Sequence, residues 1–184
     1  MQKNNKQNAY AHFITFRTYG TWLHGDPKFS VHHSLNEINT PKIKPHEKLC
    51  QQMKNSLTSE KILLDDSQRN IVLSAIIFAC KKYDWHLLTA HVRTNHAHVI
   101  LKTSITPERS MTQIKAYATR FLRKENPQAN HTKLWARHGS TKPIWRPEQL
   151  FPVMHYVIEE QGEKMSCYYD KCYEDFSKNH FMLF

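Results

Sequence analysis

No run of apolar residues in this chain approaches the roughly 20 that a membrane-spanning helix requires. The first residues, MQKNNKQNAY, also lack the apolar core of a secretory signal. The expectation is a soluble, cytoplasmic protein with no membrane partner. Cysteine is sparse, at Cys50, Cys80, Cys167 and Cys172. Only the last two are close, and their spacing is not the C-x2-C of a zinc knuckle, so reduced thiols are expected. Acidic residues are short as well: 16 against 26 Lys and Arg, a net charge of +10. That surplus suits a polyanionic partner, because each phosphate met by a cation releases condensed counterions. No internal repeat is found.

What remains is ordinary for one globular domain. A chain of 184 residues that is 40% hydrophobic and 23% charged can bury a real core. Histidine stands out, with 13 copies. Residues 1–8 are polar and expected to be disordered. AYAHFITFRT at 9–18 is apolar on both alternating faces and predicts a buried strand. YGTWLHGDP, with two of the four glycines and a proline, is a loop leading into a polar insertion over 28–60. A short helix is expected within that insertion, near 46–56.

After the cap cluster Asp65-Asp66-Ser67, Ile71, Val72, Ala75, Ile76 and Ala79 keep a helical rhythm. WHLLTAHVRT (85–94) and HAHVILKT (96–103) read as two strands around a tight turn at Thr94-Asn95. A second firm helix over about 108–124 carries the stripe Met111, Ile114, Tyr117, Phe121 and Leu122. The segment RHGSTKPIW reads as a loop with a short strand around 144–146. A last helix over about 148–161 is expected, with Pro152 in its first turn and Gly162 ending it. The order β-α-β-β-α-β with one more helix predicts an α+β, ferredoxin-like antiparallel sheet.

The sharpest local motif is His96-Ala97-His98. Residues two apart on a strand point to one side, so both imidazoles project together and offer two metal ligands. Ala97, Val99 and Leu101 would then face the core. On the last helix, Leu150, Val153, Met154, Val157 and Ile158 define the buried stripe. Tyr156 lies roughly 130° from its centre, turned away from the helix's own core. Tyr117, by contrast, falls within its helix's stripe and reads as a core aromatic. For DNA grip, the candidates are Arg17, Trp22 and His24 in the first strand and loop. Lys115, Arg120 and Arg123 on the second firm helix follow, with Arg137 and Trp145 around RHGST. Cations meet phosphates, and Trp can stack on unpaired bases. His91 reads as a buried, hydrogen-bonded residue of its strand.

HFITFRTYGTWLHGDP, HVRTNHAHVIL, IKAYATRFLR, WARHGSTKPIW and HYVIEEQG occur in that order. Together they resemble the HUH-type single-tyrosine transposases, and within them the REP-associated tyrosine transposase group (transposase IS200-like). The resemblance spans 9–163, the catalytic domain with its 28–60 insertion, and leaves a tail at 164–184. Thr94 stands where the family usually has Pro before the Asn-His turn. The resemblance implies that His96 and His98 bind Mg²⁺ or Mn²⁺ and that Tyr156 is the nucleophile. The activity implied is nicking and rejoining of single-stranded DNA, at hairpins, through a 5′-phosphotyrosine link, by a homodimer. The family places a Gln one turn after the tyrosine as third ligand. Here that position is Glu160, about 40° from Tyr156 on an ideal helix, while Gln161 is about 140° away and in the apolar stripe. Glu160 is therefore the favoured third ligand, with Gln161 as the alternative. Two rival readings remain: a regulator that binds hairpins without cutting, and a metal-dependent phosphodiesterase that uses water.

Overall fold

The computed structural model describes residues 9–21, 47–127 and 133–175. Five strands and four helices follow in the order β1 (Ala11–Thr18), α1 (Glu47–Asn55), α2 (Asp66–Lys82), β2 (His86–Val92), β3 (His96–Lys102), α3 (Pro107–Glu125), β4 (Trp135–Ile144), α4 (Leu150–Ile158) and β5 (Ser166–Tyr169). The strands form one sheet in the order β4-β1-β3-β2-β5. All four neighbouring pairs are antiparallel, so the first four strands have the expected ferredoxin-like arrangement.

Local signals explain most element ends. Asp65 caps α2 through a reciprocal capping box with Gln68. Pro107 opens α3, where its missing N–H costs nothing. The hairpin between β2 and β3 closes through the Arg93 N–H and the His96 carbonyl. Its turn is fastened from outside. The Asn95 carbonyl accepts the Thr18 N–H at 2.9 Å, and the Thr94 carbonyl accepts the Leu64 N–H at 2.7 Å. His96 therefore leaves a turn that the end of β1 already holds.

The pleat divides the core in two. Ile14, Phe16, Ala90, Val92, Ala97, Val99 and Leu101 face α2 and α3, meeting Val72, Ile76, Ala79, Met111, Ile114 and Leu122. The opposite face is covered over Ala11, Leu88 and Ile100 by Leu150, Met154, Val157 and Ile158 of α4, together with Tyr173. α4 is only nine residues long, about 13 Å. It leaves the neighbouring part of that face to polar side chains.

Three expectations need correction. RHGSTKPIW is not a loop: it lies within or beside the ten-residue strand β4. Its Gly139 allows the close approach that hid this from propensity, since a Cβ there would stand 2.4 Å from Met111 Sδ and 2.5 Å from the Thr15 carbonyl oxygen. The last helix stops at Ile158, not near 161, and Gly162 follows in a turn with φ of +80°. Finally, 166–169 of the tail supplies a fifth strand, paired from Ser166–Val92 to Tyr169–Thr89. Trp22, His24 and most of the 28–60 insertion lie outside the described residues.

Candidate metal and nucleophile site

Cross-strand register builds the site. Thr15, His98 and His91 are direct partners across β1, β3 and β2, and Arg17 is the partner of His96. Directly opposed residues share a face, so these side chains all lie on the α4 side of the sheet. The two imidazoles of His96 and His98 stand with ring centroids 4.7 Å apart.

Each imidazole has one nitrogen already engaged. His96 Nδ1 is 2.7 Å from Asn95 Oδ1, and His98 Nδ1 is 2.8 Å from Thr15 Oγ1. With the Nδ1 protons directed at these oxygens, each Nε2 keeps a lone pair for a ligand, the usual second-layer support of a metal-binding histidine. His98 Nε2 faces Gln161 Oε1 at 3.2 Å. Gln161 Nε2 in turn donates to the Tyr156 carbonyl at 3.1 Å, which aims the amide oxygen at the imidazole.

The electrostatics keep both rings neutral. Burial pushes His96 down to about 4, helped by the positive charges of Arg17 and Arg93. Burial, with His96 beside it, pushes His98 down to about 3. A neutral imidazole is the form that binds a metal.

Tyr156 is 42% exposed, which fits its position off the apolar stripe. Its ring lies 6.1 Å from that of His98 and 6.4 Å from Phe13, which itself packs 5.3 Å from His98. One chain thus brings the tyrosine ring of α4 beside its own His98.

Of the two residues offered as third ligand, this geometry brings Gln161 and not Glu160 beside His98. Because α4 ends at Ile158, Glu160 and Gln161 are not on an ideal helix, and the wheel that put Gln161 in the apolar stripe does not apply. Glu160 turns outward, its carboxylate 3.9 Å from His155 Nε2, while Gln161 reaches the histidines. Among the described residues no three His, Cys, Asp or Glu side chains form a metal cage. The polar group nearest His98 Nε2 here is the Gln161 amide oxygen. Two neutral imidazoles and one amide oxygen fit a divalent ion that takes its remaining ligands from phosphate and water.

The α3 candidates are not brought to this cluster, because α3 covers the other face. Lys115 is engaged within the fold: Nζ donates to the Ala136 and His138 carbonyls at 3.0 and 3.1 Å, fastening α3 to β4. Burial lowers its pKa to about 8. Arg120 stacks on Tyr117 at 4.9 Å. Arg123 lies near the end of the same helix. Arg137 is exposed on β4. Trp145 is 51% exposed at the far end of the sheet, beside a cavity of about 1010 Å³ lined also by His12, Thr106, Arg146 and Gln149. Sequence reasoning missed Thr15, Asn95 and Phe13. Asn95 alone carried a signal, as the residue before the first histidine.

No helix among the described residues is long and apolar enough to cross a membrane. No curated protein matches the chain. A solved structure described as a REP-associated tyrosine transposase bound to a REP hairpin is similar over 87% of this chain and 72% of its own, with 10% identity and a TM-score of 0.49. The family model described as transposase IS200 like matches residues 55–142. Across that segment, both histidines included, the chain is similar to the IS200-like transposases.

Proposed function

We propose that this protein nicks and rejoins single-stranded DNA at hairpins, with Tyr156 as nucleophile and Mg²⁺ or Mn²⁺ held by His96, His98 and Gln161. The observation that carries the reading is the meeting, on one face of one chain, of the exposed Tyr156 ring with two neutral histidines and an amide oxygen. When bound, the metal supplies Lewis-acid stabilisation of the charge on the scissile phosphate.

The chain's own groups do the rest. Arg17, opposite His96 in register, presents a guanidinium to the phosphate. Gln161 donates to the Tyr156 carbonyl and sets its amide oxygen beside His98 Nε2, where the two could share the metal. The Tyr156 hydroxyl, losing its proton, forms the P–O bond as the bond to the 3′ oxygen breaks, and that oxygen takes up a proton. One phosphodiester becomes one phosphotyrosine, so the reverse attack by a 3′-OH rejoins DNA without ATP. Trp145, Arg137, Trp22 and His24 are proposed to hold flanking strands by stacking or charge. Since one chain unites tyrosine and histidines, the implied homodimer is not required to complete the site. Adduct yield per chain is accordingly expected not to rise with protein concentration.

The experiment is direct. Labelled hairpin DNA with a single-stranded flank is incubated with protein and Mn²⁺, and covalent adduct is resolved under denaturing conditions. Wild type is expected to form it and Tyr156→Phe to lose it, with hairpin affinity kept within about threefold, under ~0.7 kcal/mol. Adduct formed normally by Tyr156→Phe would sink the assignment. Hairpin binding by wild type without any adduct would favour the non-cleaving regulator, and cleavage without adduct would favour the water-using phosphodiesterase.

A further inference from the structure

His91 stands beside the cluster but takes no part in it. Its ring is fully buried on β2, in the layer that α4 covers. Its Nδ1 lies 2.7 Å from the Val157 carbonyl oxygen, and the Met165 N–H donates to its Nε2 at 3.2 Å. A carbonyl only accepts and an amide N–H only donates, so the ring is held as the Nδ1–H tautomer with both nitrogens used.

What those two bonds join is informative. Val157 follows Tyr156 in the last turn of α4, where carbonyls have no partner within the helix. Met165 immediately precedes β5. Between them the chain leaves the helix, turns at Gly162 with φ of +80°, and carries Gln161. One imidazole therefore grips both ends of the excursion that presents Gln161. Arg93, two residues along β2, adds a third point by donating to the Glu163 carbonyl. His91 is also the direct cross-strand partner of His98, the residue Gln161 reaches.

An apolar side chain would fill this position without desolvating an imidazole, but it would leave the Val157 carbonyl and the Met165 N–H unpaired where water is excluded. The helix end and the start of β5 would lose their common anchor. We propose that His91 is a positioning residue: it clasps 157–165 so that Gln161 meets His98 and the end of α4 holds Tyr156 over the histidines. This rests on the reading that His96, His98 and Gln161 hold the cation. It also makes the chain at 164–165 part of the site's support.

The test compares wild type with His91→Phe, which keeps a ring and loses both bonds, and His91→Gln, which keeps one donor and one acceptor. Amide hydrogen exchange is followed over 159–165 and over β1 and β3, without metal, and Mn²⁺ affinity is measured by calorimetry. In His91→Phe, exchange over 159–165 is expected to rise at least tenfold while β1 and β3 stay protected. Mn²⁺ affinity should fall at least fivefold, with His91→Gln intermediate in both. Wild-type exchange and affinity in His91→Phe would overturn the proposal. So would faster exchange spread evenly across the sheet, the mark of a merely structural core group. If His91→Phe does not fold, His91→Gln decides, with faster exchange confined to 159–165 supporting the clasp and wild-type exchange overturning it. Absence of Mn²⁺ binding by wild type would defeat the reading of the cluster, while the exchange measurements would still judge the clasp.

Discussion

Replacing Gln161 by Ala removes the side chain that links the Tyr156 backbone to the surroundings of His98. Two contacts go: Oε1 at 3.2 Å from His98 Nε2, and Nε2 at 3.1 Å from the Tyr156 carbonyl. With the His98 Nε2 unprotonated only the second is a hydrogen bond, a neutral one that contributes about 0.5–1.5 kcal/mol and that water can partly replace, so the fold should lose about 1 kcal/mol or less. The metal should suffer more. Removing even a supporting partner of a metal ligand typically costs 10–100-fold in affinity, and Gln161 is proposed as a ligand itself. Mn²⁺ affinity is therefore expected to fall by at least ~10-fold, about 1.4 kcal/mol. Glu160→Ala is the control. Its carboxylate faces His155 at 3.9 Å with both side chains more than half exposed, an arrangement that contributes little. Its Mn²⁺ affinity and adduct rate should stay within about twofold of wild type, under ~0.5 kcal/mol. Calorimetric titration with Mn²⁺, thermal melting without metal, and the adduct assay on both variants make the comparison complete. A loss of Mn²⁺ affinity at Glu160 equal to or greater than that at Gln161, with both proteins folded, would refute the reasoning.

Three other perturbations probe the same structure. His96 and His98 have pKa values depressed to about 4 and about 3 in the fold against an ordinary 6.5, so below that value the unfolded chain binds more protons. The histidine contribution to the stability of the metal-free protein should be flat above pH ~6.5 and fall as pH drops from there toward 4, by at most ~1.4 kcal/mol per pH unit per histidine. Chemical denaturation in the presence of a chelator checks this, and a flat profile between pH 6.5 and 4.5 would contradict it. Gly139→Ala drives a Cβ to 2.4 Å from Met111 Sδ and 2.5 Å from the Thr15 carbonyl oxygen, so it should destabilise by about 1–3 kcal/mol in denaturant melts. Unchanged stability would show that β4 can shift away. Lys115→Met should cost roughly 1–3 kcal/mol of stability through the lost Ala136 and His138 bonds, yet leave the salt dependence of DNA binding unaltered. A salt slope reduced by about one would place that amine on a phosphate instead.

The legible part of the fold was the part governed by period. α2 and α3 bury Val72, Ala75, Ile76, Ala79, Met111, Ile114, Tyr117 and Leu122, all on the stripes that helical spacing picks out. The hairpin from His86 to Lys102 is buried over almost its whole length, as its largely apolar sequence implies. β4 was not legible, because Gly139, Pro143 and the charged neighbours weaken its local preference. Its pairing with β1 from Ala11–Ile144 to Phe16–Gly139 supplies what propensity lacks. β5 is four residues long and forms only because β2 offers an unpaired edge. Such a strand has no signature of its own.

The site shows the same division one level up. Two histidines on one side of a strand follow from the pleat alone, and Tyr156 turned from its helix's stripe follows from the helical period. Both inferences concern residues inside an element, where geometry repeats. Gln161 lies outside one. An ideal helix run to residue 161 sends its side chain into the apolar layer, and only the termination at Ile158 and the turn at Gly162 return it to His98. That termination depends on what holds the helix end, and the holding group, His91, is some seventy residues earlier on another strand. Thr15 is concealed in the same way: its hydroxyl supports His98 only because the β1–β3 register sets the two side by side. The ligands that periodicity finds are therefore the rigid half of the site. The half it misses is fixed by long-range register and by the closing of one turn. A substitution in that second half should disturb metal binding before it disturbs the sheet, which is why comparing Gln161 with Glu160 is a sharper test of this architecture than replacing either histidine.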